Sequence, residues 1–125
     1  MPSTSKKATA VEIDNEIIEG RYAQLEGYTV GFETFKQDFD PAFLFKGLPD
    51  DRCQSPHWGY VVSGRVTFRY ADHEETVVAG DTYYAPAGHV PLVYAGTEVI
   101  EFSPSHEFGE TMAVVGRNLE AAQPA

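Results

Sequence analysis

Two short segments, each bounded by glycines and each carrying one histidine, constrain the fold of this 125-residue chain more than any other feature. The first covers residues 57–64 and the second residues 80–89. Between Gly64 and Gly80 the sequence predicts one strand, a turn and a second strand. Short strands with glycine at their corners are typical of a β-barrel or sandwich. Such a fold can bring His57 and His89 together from distant parts of the chain.

The rest of the chain continues the β pattern until its C-terminus. Strands are predicted at residues 28–35, 60–62, 65–70, 76–78, 82–85, 90–94 and 99–103. Only the C-terminal segment has helical spacing, because Phe108, Met112, Val115 and Leu119 recur to form one apolar face. Ser105 is its predicted N-cap. The sequence therefore predicts an all-β class with one C-terminal α-helix docked on the barrel.

Length and charge limit the classes of protein to consider. We expect a disordered tail at residues 1–10 and a single domain at residues 11–125. The net charge of −10 argues against nucleic acid and anionic membranes as partners. Cys53 is the single cysteine, so an intrachain disulfide is excluded, and no apolar run is long enough to span a membrane. A soluble cytoplasmic protein is the expectation.

The glycine framework resembles that of the cupin family. The family's second motif is glycine, five residues, proline, one residue and glycine, which here is Gly80, Pro86 and Gly88. Its first motif ends in a strand similar to the segment at residues 60–64. The resemblance implies a double-stranded β-helix, or jelly-roll, barrel with the helix packed outside. It also implies a homodimer, for which residues 28–35 and 43–45 are the expected interface.

The metal-binding positions of the family carry other residues in this chain. The family's first motif presents two histidines and then a glutamate, and these positions correspond to Asp51, Cys53 and His57. In the second motif the usual histidine position is Pro91, and His89 lies two residues earlier. The resemblance therefore supports the fold more directly than any particular metal site.

Strand alternation nevertheless favours a shared site for three of these residues. Cys53, His57 and His89 can face the same interior, and a thiolate with two imidazoles suits zinc or another late first-row ion such as nickel. A set of His57 and His89 with a carboxylate from Glu101 or Asp51 would instead suit iron or manganese. On the last strand the apolar set at residues 98, 100 and 102 is expected inside, which would place Glu101 outside.

Three functions fit these observations. The first is a divalent metal enzyme that acts on a small organic molecule in the barrel, as an oxygenase, isomerase or lyase, with Tyr60 or Tyr84 supplying a proton if they face the lumen. The second is a non-catalytic module that binds or senses a small molecule without metal. The third is a metal-free structural domain in which His57 fills the core. Metal analysis distinguishes the first from the other two.

Overall fold

The structure, a computed structural model, describes residues 1–122 of the chain. Within these residues the chain forms nine strands and one α-helix, with two short 3-10 helices at Ala42–Phe45 and Pro49–Asp51. The strands and the helix are β1 (Val11–Asp14), β2 (Ile18–Leu25), β3 (Tyr28–Phe35), β4 (His57–Ser63), β5 (Arg65–Arg69), β6 (Glu74–Val78), β7 (Thr82–Ala85), β8 (Val90–Val93), β9 (Thr97–Pro104) and α1 (Ser105–Ala121).

The strands of the described chain form two antiparallel sheets. One has six strands in the order β1-β2-β3-β9-β4-β7, and the other has three in the order β6-β5-β8. Side chains from the inner faces of both sheets make the core, which includes Val61, Val66, Phe68, Ala85 and Val99. This arrangement confirms the predicted all-β jelly-roll class with a C-terminal helix.

Helix α1 closes one end of the barrel. Its predicted apolar face is confirmed, because Phe108, Met112, Val115 and Leu119 all line the space between the helix and the sheets. The N-cap lies at Pro104, one residue earlier than predicted, and the Ser105 hydroxyl group instead makes a hydrogen bond with that of Thr29. No helix among residues 1–122 is long and apolar enough to cross a membrane.

Strands β1 and β2 are absent from the sequence prediction, which begins its first strand at residue 28. Their acidic residues and Gly20 obscure the alternation, yet Ile13, Ile17 and Ile18 line the interior space. Gly20 is required because the Tyr22 side chain crosses over it, so that a Cβ there would lie 2.7 Å from the tyrosine oxygen. The structure also places Lys6 beside Glu98, while the predicted disorder of residues 1–10 in solution stays a prediction.

Candidate metal centre

The structure brings Cys53, His57 and His89 together inside the barrel. One potential ligand atom from each residue lies within 4.8 Å of the other two, and all three residues are buried. His57 is the first residue of β4 and lies opposite Ala85 of β7, which turns its ring inward. Cys53 and His89 form an isolated antiparallel bridge, in which the Cys53 amide donates to the His89 carbonyl over 2.8 Å.

Hydrogen bonds hold both imidazoles by the same ring atom. His57 Nδ1 lies 2.7 Å from the Ser103 hydroxyl oxygen, and His89 Nδ1 donates to the Pro86 carbonyl over 2.8 Å. His57 Nε2 lies 3.6 Å from Cys53 Sγ, while His89 Nε2 is buried without a hydrogen-bond partner. Metal-binding histidines usually donate a hydrogen bond from one ring nitrogen and coordinate the ion through the other, which here would be Nε2.

The donor set fits a divalent ion that prefers nitrogen and sulfur. Ligand atoms around a tetrahedral zinc lie about 3.3–3.8 Å apart, as its bond lengths require, and the separation of Cys53 Sγ from His57 Nε2 is 3.6 Å. Burial lowers the pKa of each histidine to about 4, so both imidazoles are neutral near pH 7, as a ligand must be. Burial also raises the pKa of the Cys53 thiol to about 12. An ion would have to displace that proton.

The two carboxylates considered as alternative ligands lie in different places. Asp51 is exposed in the second 3-10 helix, where its carboxylate accepts a hydrogen bond from the Gly47 amide. Glu101 faces the interior, which corrects the expectation that it points outward. Its Oε1 lies 3.9 Å from His57 Nδ1, on the opposite edge of the ring from Cys53. Neither belongs to the cluster of three ligand atoms.

The two tyrosines proposed as proton donors do not face the lumen. Tyr60 and Tyr84 lie on the outer face of the six-stranded sheet, with 42% and 52% of their surface exposed. The strand alternation that turns His57 and Ala85 inward turns these two residues outward. Tyr83, the neighbour of Tyr84, points inward instead and packs against Phe68 in a tilted arrangement, with 5.1 Å between ring centroids.

A cavity of about 170 Å³ lies beside the histidines, between the sheets and α1. Its lining is mostly aliphatic and aromatic, but the carboxyl groups of Glu33 and Glu101 also reach it. Tyr22 donates a hydrogen bond to Glu33 over 2.5 Å, and Tyr83 donates one to Glu101 over 2.6 Å.

Burial raises the pKa of both carboxyl groups, to about 8 for Glu33 and about 7 for Glu101, and repulsion from Glu101 adds to the effect at Glu33.

Sequence reasoning missed the acidic end of this cavity. Gly31 of β3 and Gly59 of β4 lie opposite Glu101 on either side of β9. A Cβ at residue 59 would overlap the Tyr83 ring, and one at residue 31 would lie 2.9 Å from the Tyr22 ring. A glycine within a strand indicates that another group approaches the backbone closely. Gly31 and Gly59 are therefore the sequence features that could have indicated this end of the cavity.

Comparisons with known proteins identify the fold. No protein-family model and no curated protein matches the chain. Among solved structures, an RmlC-like cupin from Shewanella frigidimarina is 17% identical with a TM-score of 0.59, covering 85% of this chain and 93% of its own. Ectoine synthase from P. lautus is 12% identical with a TM-score of 0.58, covering 89% and 87%.

A third similar structure is FeII HppE, which is 10% identical with a TM-score of 0.57. The match covers 82% of this chain and 60% of HppE. At these identities the likeness concerns the fold and leaves the activity open. Together with the two sheets and the helix described above, it shows that this chain has the cupin fold.

Proposed function

We propose that the chain binds one divalent metal ion through Cys53, His57 and His89, and that it acts on a small organic molecule held in the adjacent cavity. The observation that carries the proposal is the buried His89 Nε2 atom, which has no hydrogen-bond partner and belongs to a residue with a ligand atom within 4.8 Å of those of Cys53 and His57. An unsatisfied polar atom costs about 1–3 kcal/mol, and coordination of an ion would remove that cost.

The donor set favours zinc or another late first-row ion over magnesium or calcium, because it contains a thiol and two imidazoles and no oxygen ligand. A bound ion with three protein ligands supplies a Lewis acid with an open position. The protein's own contribution is a mostly apolar cavity beside the ligands, with Ser103 and the Pro86 carbonyl fixing the two rings. The solved structure of HppE, a protein of the same fold, is of the FeII form, which is compatible with metal chemistry here.

Metal analysis of untagged protein tests the proposal. We expect about one ion per chain after purification, and loss of the ion in His57→Ala and His89→Ala. His106→Ala is the matched control, because His106 is exposed on α1, where its Nε2 contacts Glu110, and it should leave the metal content unchanged. Cys53→Ser should weaken binding, since a hydroxyl group is a poorer ligand for a soft ion than a thiolate.

The competing function is a binding module without metal, which would use the same cavity. A folded wild-type protein that takes up no zinc, nickel, iron or manganese when each is supplied would favour that function and contradict the metal proposal. Equal metal content in the wild type and in His89→Ala would contradict the assignment of His89.

A further inference from the structure

The cavity has an acidic end as well as the end that holds the histidines. Glu33 on β3 and Glu101 on β9 are close neighbours on the inner face of one sheet, since Glu101 lies opposite Gly31 and Glu33 opposite Val99. Each carboxyl group has one oxygen hydrogen-bonded to a tyrosine, which leaves its other oxygen available to a ligand. Two acidic groups therefore border a mostly apolar space.

The described residues that line the cavity include no lysine or arginine. Their basic groups are His57 and His89, whose Nδ1 atoms are already held by the Ser103 hydroxyl group and the Pro86 carbonyl oxygen rather than by Glu33 or Glu101. Without a cationic partner the two buried carboxyl groups are favoured in their neutral form, in agreement with their raised pKa values. An ammonium group between them would favour the ionised form, so a cationic ligand can supply the partner that the protein lacks at this end of the cavity.

A cation between the two carboxyl groups would be separate from the metal centre. Cys53 Sγ lies near Nε2 of His57, whereas Glu101 Oε1 lies near Nδ1, on the other edge of the same ring. Glu33 belongs to neither contact, and its hydrogen bond is to Tyr22. An ion held by the three ligands and a cation held by the two carboxyl groups would thus lie on different sides of His57.

The size and lining of the cavity limit the rest of the ligand. A dry cavity of about 150 Å³ lined by leucine, isoleucine and phenylalanine binds benzene, so the 170 Å³ here suits a molecule of similar size. Phe35, Phe68 and Phe108 line it, and aromatic faces attract cations as well as apolar groups. An anionic ligand of the same size would meet repulsion from both carboxyl groups.

We propose that the cavity binds a small apolar molecule bearing a cationic amine, with the ammonium group between Glu33 and Glu101 and the hydrocarbon part against the phenylalanines. This inference specifies the small molecule of the function proposed above, and it rests on that proposal for the statement that the cavity is the ligand site. It does not require the metal ion.

Calorimetric titration with three compounds of one shape tests the inference. The probes are cyclohexylamine, cyclohexanol and cyclohexanecarboxylate, which differ in charge and share the ring. At about pH 8.5, where both carboxyl groups are ionised and the amine is still protonated, wild-type protein should bind the amine at least about tenfold more tightly than the alcohol, as expected for a charge pair with little solvent, and should not bind the carboxylate. This ranking needs no variant. Equal binding of amine and alcohol, or no binding of any probe, would overturn the inference.

A variant then locates the contact. Glu33→Gln keeps the shape and removes the charge at a position away from the metal ligands, and should weaken amine binding about tenfold while leaving alcohol binding unchanged. The matched control is Glu107→Gln, which removes the same charge from an exposed position on α1. An unchanged preference for the amine in Glu33→Gln would overturn the assignment.

Titration of zinc-loaded and zinc-free protein keeps the two proposals apart. Zinc uptake without amine binding would leave the metal proposal intact and refute the amine. Amine binding by protein that takes up no metal would leave the amine proposal intact and refute the metal proposal.

Discussion

The carboxyl group of Glu33 lies inside an apolar cavity, where its neighbours are the Tyr22 hydroxyl group and the carboxyl group of Glu101. Burial favours the neutral acid, and the second carboxyl group adds repulsion, so the pKa of Glu33 rises from 4.5 to about 8. In the unfolded chain the same group regains water and ionises near its ordinary pKa. At any pH between the unfolded and the folded pKa of Glu33, the folded protein therefore binds more protons than the unfolded protein.

The stability of the protein should therefore fall as pH rises from about 4.5 to about 8, because the contribution of neutral Glu33 is complete below its unfolded pKa and is lost as pH passes the folded value. Glu33→Gln should remove this loss. We expect the variant to exceed the wild type in free energy of unfolding by on the order of a few kcal/mol at pH 8 and by little at pH 4.5.

Urea unfolding at pH 4.5, 6 and 8 measures the difference, with Glu107→Gln as the exposed control. A gain in Glu33→Gln that is the same at all three pH values would contradict the assigned pKa and indicate a packing effect instead.

The sequence predicts the shared site because alternation along the strands and the chemistry of cysteine and histidine point to the same residues. Parity and residue type predict a shared site for Cys53, His57 and His89, and the structure places them in one cluster. The same parity argument gave the wrong face for Glu101, because it assumed that the apolar set of β9 must be inside. Phe102 is instead 42% exposed on the outer face, while Glu101 is accommodated inside by its hydrogen bond from Tyr83. Alternation shows which residues share a face, but which face is inside depends on partners from other strands.

Helix α1 shows at the scale of elements what periodic spacing can predict and what it cannot. Four residues spaced along the sequence predicted its buried face, because an isolated amphipathic helix depends on burial of that face for its stability. Its anchor was not predictable, since it joins groups 72 or more residues apart. The Asn118 side-chain amide donates to the carbonyl oxygens of Leu44 and Lys46, each over 2.8 Å.

We expect Asn118→Ala to loosen α1 from the Ala42–Phe45 helix. Two hydrogen bonds to backbone carbonyls are lost, which should lower the free energy of unfolding by about 1–2 kcal/mol. Hydrogen exchange should also accelerate for the backbone amides of the last two turns of α1, because their opening no longer breaks this contact.

Arg117→Ala is the control, since Arg117 is exposed on the adjacent position of the same helix. If Asn118→Ala and Arg117→Ala give the same exchange rates, the anchor does not limit the opening of α1.

On the scale of the whole molecule, the outer face of the six-stranded sheet exposes a cluster of large aromatic side chains. Tyr28, Trp58, Tyr60, Tyr84 and Phe102 are each between 42% and 52% exposed on this face. Trp58 lies 4.7 Å from Tyr84 and 6.1 Å from Tyr28, measured between ring centroids. None of the described residues that line the shallow groove over this face is charged, in a chain of net charge −10.

We propose that a second copy of the chain covers this face. Two strongly acidic copies repel each other, and the uncharged groove on this face allows them to meet with least repulsion while large aromatic side chains leave water. The homodimer expected from the sequence would then use Tyr28 of the predicted segment at residues 28–35, together with β4 and β7. Phe43, from the predicted segment at residues 43–45, is exposed elsewhere.

Light scattering coupled to size-exclusion chromatography should report a dimer for the wild type and a monomer for Tyr60→Glu. A buried, unpaired charge at the centre of the interface costs several kcal/mol, which is enough to separate the copies at micromolar concentration. Val78→Glu is the matched control, because Val78 is 49% exposed on β6 of the other sheet and should leave the dimer intact. A monomeric wild type, or a dimer that survives Tyr60→Glu and dissociates with Phe43→Glu, would place the interface elsewhere or remove it.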